Sequence, residues 1–240
     1  MNENQKILNK LSSIDWNFSQ SRSSKSIHSL HPYPAKFIPE IPSSIIQCLH
    51  TDDNKIILDP FCGSGTSLRV AQEMHYESIG VDLNPIACMI SKIKTTVLPE
   101  RFLIIAKQIK DAVEKKKSAD FIETIPNVNH WFNLDVQKNI RSLRNEIECF
   151  SEDNLKLHLN FCLSANIVRY SNQESDTRYA AIKKQSKADD LFKSFYNSAQ
   201  KLAEQKSNHN ILDKSVKVIE GNILELSPHE IDKPIGLLVT

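Results

Sequence analysis

The stretch KIILDPFCGSGTSLRVA, residues 55 to 71, limits this chain's fold more than any other segment. A β-branched apolar run, Lys55 to Leu58, reads as a strand. Asp59 ends it, a turn with two glycines follows, and a helix is predicted from Thr66 to His75. The pattern then repeats: a strand over Glu77 to Val81, the turn GVDLNP, and a helix over Pro85 to Val97. Proline suits the first turn of that helix, and Ile86, Met89, Ile90 and Ile93 supply its apolar face. Strand–helix–strand units of this length imply parallel strands joined by right-handed crossovers, hence an α/β sheet.

The rest of the chain is read around that core. Residues 1 to 40 look largely irregular, with room for a short helix near the start, and a helix opens at Pro42 and runs to Leu49. From Pro99 to about Lys206 the pattern is helical, interrupted by Pro126 and by the polar stretch Ser171 to Thr177. Strand character returns at Val216 to Ile219 and at Ile235 to Val239. The expected organisation is an amino-terminal element plus half a sheet over 1–98, a helical insertion over 99–214, and two further strands over 215–240.

The chemistry follows from the turns. The chain holds only five glycines, and two of them, Gly63 and Gly65, stand in the first turn. Glycines let a backbone approach a ligand closely, and free N–H groups at a helix start favour a carboxylate or phosphate. The pattern is neither a Walker loop nor G-x-G-x-x-G. Asp82 lies 23 residues after Asp59, at the end of the second strand. It fits two roles: a ligand for ribose hydroxyls, as acids at this spacing are in nucleoside-binding folds, or a cap for the helix beginning at Pro85.

DPFCGSGT together with DLNP resembles the cofactor motifs of S-adenosylmethionine-dependent DNA methyltransferases that modify exocyclic amines. HPYPAKFIPEIP, residues 31 to 42, and SNQESDTRYA, residues 171 to 180, resemble further segments of that group. The resemblance implies a partial Rossmann-like methyltransferase sheet of the first four strands, with a helical insertion. It implies S-adenosyl-L-methionine as cofactor. Asp59, Pro60, Phe61, Gly63, Gly65 and Thr66 would then hold the methionine moiety, with Phe61 packed against the cofactor. Asp82 would take the ribose, and Leu83 or Asn84 the adenine face. Tyr33, Pro34, Lys36 and Phe37 would close the pocket. Asn222, in VIEGNILEL, is either the partner of the adenine amino group or a turn residue after Gly221. Arg169, Asn172, Gln173, Arg178 and Tyr179 are candidate contacts to double-stranded DNA, or members of a polar surface loop.

The family's catalytic segment, Ser-Pro-Pro-Tyr or Asp-Pro-Pro-Tyr, follows its fourth strand, and here the strand at Ile235 to Val239 is followed only by Thr240. No catalytic residue is therefore assigned. The expectation is a chain that binds the methyl donor and depends for catalysis on a second polypeptide supplying the catalytic loop and remaining strands, or on a longer chain; the alternative is a non-catalytic cofactor- and DNA-binding subunit of a split methyltransferase. The retained motifs favour cytosine-N4 over adenine-N6 as target.

Totals add exclusions. Net charge is +1, so overall charge does not point to nucleic acid, although Trp16 to Pro39 lacks acids and carries Arg22, Lys25, His28, His31 and Lys36. Five cysteines without a C-x-x-C pair argue against a disulfide frame or a zinc site, and fit a reducing cytoplasm. Cys62 invites comparison with the thiolate nucleophile of cytosine-C5 enzymes. That residue follows a proline, and no Pro-Cys pair occurs here, so Cys62 is read as inert. No signal peptide, membrane span or metal site is expected.

Overall fold

Four short strands carry the site: β1 (Ile56–Asp59), β2 (Ser78–Asp82), β5 (Val216–Glu220) and β6 (Ile235–Leu238). In the computed structural model they form one parallel sheet in the order β5-β2-β1-β6. The structure describes residues 3–19, 27–34, 36–49, 55–115, 125–175, 177–182, 184, 187–207, 215–231 and 233–240. Arg22 and Lys25 lie outside them.

The chain divides into two compact units. The first comprises Met1–Ser29, Ala35–Thr96 and Ile211–Thr240. Every residue of β1 is buried, as a central strand with both faces covered requires. Ile57 packs on one face with Ile46, Val70, Ala71 and Val239, drawing in α2 (Glu40–Leu49) and α3 (Thr66–Glu73). Ile56 and Leu58 point to the other face, where Ile79 and Val81 join them with Ile219, Ile223, Leu226 and Ile231 packed alongside. That alternation follows from the two-residue period of a strand.

Helix α1 (Glu3–Ser12) fills the place left for a short initial helix, and α2 begins two residues before Pro42. In α4 (Pro85–Thr95) the inward face keeps the expected Ile90 and Ile93 but not Ile86, and Met89 is only partly buried. Ile86 is exposed, and the buried positions are Ala87, Cys88, Ile90, Ser91, Ile93 and Lys94. A helix packed close to a glycine loop presents small and polar side chains there rather than a purely aliphatic stripe.

The second unit, Leu30–Pro34 with Val97–Asn210, is built from α5 (Phe102–Lys115), α6 (Val128–Trp131), α7 (Leu134–Glu148), α8 (Asp153–Tyr170) and α9 (Asp190–Ser207). Phe102, Leu143, Ile147, Leu159, Phe192, Phe195 and Leu202 are buried in it. His31 is buried here too, with Nε2 3.0 Å from Ser164 Oγ and its ring against Phe161. One expectation is corrected. The polar stretch after α8 is not a plain break between helices but an antiparallel hairpin of β3 (Gln173–Ser175) and β4 (Arg178–Ala181). Its strands are three and four residues long and not buried, so they lack the apolar alternation that marks a strand in sequence.

Candidate functional site

The carboxyl ends of β1, β2 and β5 lie side by side in a parallel sheet, and each releases the chain into a turn. After β1 the turn is held by Asp59, which is 2% exposed. One carboxylate oxygen accepts from the Phe61 N–H at 3.1 Å and the other accepts from the Ser67 hydroxyl. Burial raises the Asp59 pKa, against the lowering effect of the Ser67 and Phe61 hydrogen bonds. Asp59 is thus occupied in shaping the loop. Pro60, beside it, is buried.

The loop itself is tightly tied down. The Cys62 N–H donates to the Val81 carbonyl at 2.9 Å and the Gly65 N–H to the Cys62 carbonyl at 2.7 Å. Gly63 and Gly65 both have positive φ, 50° and 69°. A Cβ on Gly65 would stand 2.5 Å from Ser91 Oγ, and the Ser91 hydroxyl donates to the Gly63 carbonyl at 2.8 Å. No side chain caps α3, which leaves its first N–H groups to the loop and to whatever binds there.

Asp82 joins the first turn to the second. Its Oδ2 accepts from the Gly63 N–H and its Oδ1 from the Asn84 N–H, each at 2.8 Å. The cap of α4 is Asn84, not Asp82: Asn84 Oδ1 accepts from the Ile86 N–H at 2.9 Å. Asn84 is thereby committed to the helix, while Leu83 is 70% exposed. After β5, Asn222 caps the turn Ile223–Glu225, accepting from the Leu224 N–H at 3.1 Å and donating to Glu225 Oε1 at 3.0 Å.

A cleft of about 100 Å³ opens beside the loop, lined by Lys36, Phe37, Asp59, Phe61, Cys62, Gly63, Ser64, Thr66, Ser67 and Thr240. Thr66 Oγ1 is buried at this cleft without a hydrogen-bond partner among the described residues. Lys36 Nζ donates to the His28 carbonyl at 3.0 Å. Phe61, Leu83 and Leu224, each more than 60% exposed, follow the ends of three adjacent strands. This set suits a ligand with an anionic end and a flat apolar ring: donors converge at the cleft, and apolar side chains stand open nearby. The structure therefore brings Lys36 and Phe37 to the loop. Tyr33 and Pro34 belong to the helical unit and are not among the cleft's lining residues.

Cys62 is buried, and burial together with the nearby Asp59 pushes its thiol pKa up to about 12. A thiol held that far above neutrality is a poor nucleophile. Among the described residues no group of three His, Cys, Asp or Glu side chains is placed to hold a metal ion, and no helix is long and apolar enough to cross a membrane.

The proposed DNA-contacting residues lie in the helical unit. Asn172 Nδ2 donates to the His130 carbonyl at 2.9 Å and Gln173 Nε2 to the Ser175 carbonyl at 2.7 Å, so both amides brace the hairpin. Arg178 is exposed and donates to Glu174 Oε1 at 3.0 Å, Tyr179 is 82% exposed, and Arg169 lies against the Tyr170 ring.

Sequence reasoning missed two residues at the loop, Ser91 and Lys94. Both lie on the buried face of α4, and Lys94 Nζ donates to Ser64 Oγ at 3.1 Å. Ser91, four residues after the buried Ala87, could have been found from the helical period; a lysine on that face carries no such mark.

Residues 1–93 match the family described as DNA methylase. The Type II methyltransferase M.MjaII of Methanocaldococcus jannaschii is 38% identical over 86 residues, 34% of this chain and 16% of that protein. M.MvaI of Kocuria varians is 28% identical over 160 residues, 62% of this chain and 35% of the relative. M.BsoBI of Geobacillus stearothermophilus is 35% identical over 68 residues, 28% of this chain and 13% of the relative. The matches thus span about a third or less of these relatives' lengths. No solved structure matches the chain significantly.

Proposed function

We propose that this chain, whose residues 1–93 match the family described as DNA methylase, is the S-adenosyl-L-methionine-binding part of a site-specific DNA methyltransferase. Its target is an exocyclic base amine, with cytosine-N4 favoured over adenine-N6, and its setting is a restriction-modification system. The observation that carries this reading is the bond between the Gly63 N–H and Asp82 Oδ2. It fastens the glycine loop to the acid at the end of the neighbouring strand, where nucleoside ligands bind in open α/β sheets.

When bound, the cofactor supplies a methyl group activated by its sulfonium. The chain's own residues receive and orient it. The backbone around Gly63 and Gly65, the Ser64 and Thr66 hydroxyls and Lys36 would hold its amino-acid end. The remaining oxygen lone pairs of Asp82 would accept from ribose hydroxyls, and exposed Phe61 and Leu83 would cover the purine faces. Asn222 Oδ1, which caps Leu224, has a second lone pair that could accept from the adenine amino group.

The chain contains no Pro-Pro pair and therefore no Pro-Pro-Tyr segment. Its proposed partner is a segment, on another polypeptide or a longer form of the chain, that brings the side chains accepting the amine's hydrogens. Arg169, Arg178 and Tyr179 would face DNA phosphates and bases from the helical unit, with Asn172 and Gln173 shaping the hairpin that presents them.

Calorimetric titration of residues 1–240 with S-adenosylhomocysteine tests the cofactor reading. One ligand per chain is expected, and Asp82→Ala should weaken binding about tenfold or more while far-UV circular dichroism stays unchanged. Absence of binding, or undiminished affinity in the folded variant, would overturn the assignment.

A further inference from the structure

Lys94 stands in the last turn of α4 and is 2% exposed. A buried ammonium requires partners, because burial strips its hydration. Its Nζ donates to Ser64 Oγ at 3.1 Å. Among the described residues no carboxylate pairs with it, although a lysine has three N–H donors to place. The charged and titratable groups around it come from three other elements. Lys36 precedes α2, Cys62 lies in the loop, and Arg69 on α3 holds the Lys94 carbonyl at 3.4 Å while pairing with Glu73 at 2.8 Å. The carboxylate that lines the same cleft as Ser64, Asp59, is taken up by the Phe61 N–H and the Ser67 hydroxyl, so among the described residues the amine has no anionic partner.

Ser64 connects it to the cleft. The serine is 4% exposed and lines the cleft beside Thr66 and Lys36. A hydroxyl that accepts from an ammonium directs its own proton elsewhere. Thr66 Oγ1, on the same cleft, has no hydrogen-bond partner among the described residues.

We propose that Lys94 is a positioning residue for the carboxylate of an amino-acid ligand, acting through Ser64 and supplying the buried positive charge beneath it. The inference rests on the cofactor reading above and names a determinant of that ligand's amino-acid end. It has a pH consequence. Burial lowers the Lys94 pKa to about 7, the nearby Lys36 lowering it further and Cys62 opposing. A ligand carboxylate favours the charged form, so binding above neutral pH takes up a proton and affinity falls as pH rises.

The test is calorimetry on the folded chain from pH 6 to 9, in buffers of different ionisation enthalpy, with two ligands. S-adenosylhomocysteine carries the amino-acid end; 5′-methylthioadenosine keeps the nucleoside and thioether but lacks it. Affinity for the first should fall about tenfold between pH 6.5 and 8.5 with proton uptake, as linkage to one group allows. Affinity for the second should stay flat. Lys94→Met should abolish the Lys94 component of proton uptake and leave methylthioadenosine binding unchanged; the ligand's own amino group cancels in this comparison. Ser64→Ala should weaken only the first ligand, and decides the matter if Lys94→Met fails to fold. Equal proton uptake in wild type and Lys94→Met, or equal losses for both ligands in Ser64→Ala, would overturn the inference. Failure of both ligands to bind wild type would remove the cofactor reading, and this inference with it.

Discussion

At the residue scale, Gly65 makes two demands that no other residue type meets. Its φ of 69° is a left-handed conformation, and its missing Cβ leaves room for Ser91, whose Cα would otherwise lie 2.9 Å away. Gly65→Ala should therefore cost on the order of 2–4 kcal/mol, combining backbone strain with overpacking against a helix that cannot retreat cheaply. Gly221→Ala is the contrast: its Cβ would meet only Leu226 Cδ2 at 4.0 Å, so a change within about 0.5 kcal/mol is expected. Urea denaturation of the two variants checks the pair, and equal losses would show that the loop's geometry is not the cause. The glycine requirement was legible in sequence because a special φ leaves its mark as glycine. The buried Lys94 was not legible, since lysine is ordinarily a surface residue and its burial depends on how closely α4 approaches the loop.

At the scale of elements, α8 holds a histidine that helix packing keeps neutral. His158 is fully buried, its ring lies against Phe102 of α5, and Nδ1 stands 2.7 Å from the Asn154 carbonyl. That contact makes Nδ1 the donor, and Nε2 has no partner among the described residues. Burial pushes the pKa down to about 4 from an ordinary 6.5. Between those values the unfolded chain binds more protons than the folded one, so the stability contribution is present above 6.5 and lost as pH falls toward 4. The loss should reach on the order of 2–3 kcal/mol. Urea titrations at pH 7 and pH 4.5 should show a smaller decrease in His158→Leu than in wild type; parallel decreases would refute the assignment. The sheet strands and helices α2 to α4 were readable to within about two residues of their ends, whereas in the stretch from Pro99 to Lys206 only its helical character was readable, not the bounds of its helices. The β3–β4 hairpin was not, being short and exposed.

At the scale of the molecule, the sheet is closed by segments far apart in sequence. Strand β2 pairs with β5 through Ser78↔Val216 and its successors, and β1 pairs with β6. The class of sheet was readable from the strand–helix–strand repeat, but its order was not, because strand periodicity does not say which edge a later strand joins. The sheet unit takes three stretches of chain, and the proposed ligand touches the first two turns of it. Ligand binding should therefore protect amides by place. Ligand at a hundredfold excess over its Kd stabilises the binding-competent state by about 2.7 kcal/mol. With S-adenosylhomocysteine at that excess, hydrogen exchange should slow most at Cys62–Ser67 and Leu83–Ile86, where local opening of the loop and of the α4 cap exposes N–H groups. The exposed hairpin amides of Arg178–Ala181 open without disturbing that loop, and their exchange should not change. Slowing confined to the hairpin, with the loop unaffected, would move the ligand site to the helical unit and refute the cofactor assignment at the ends of β1 and β2.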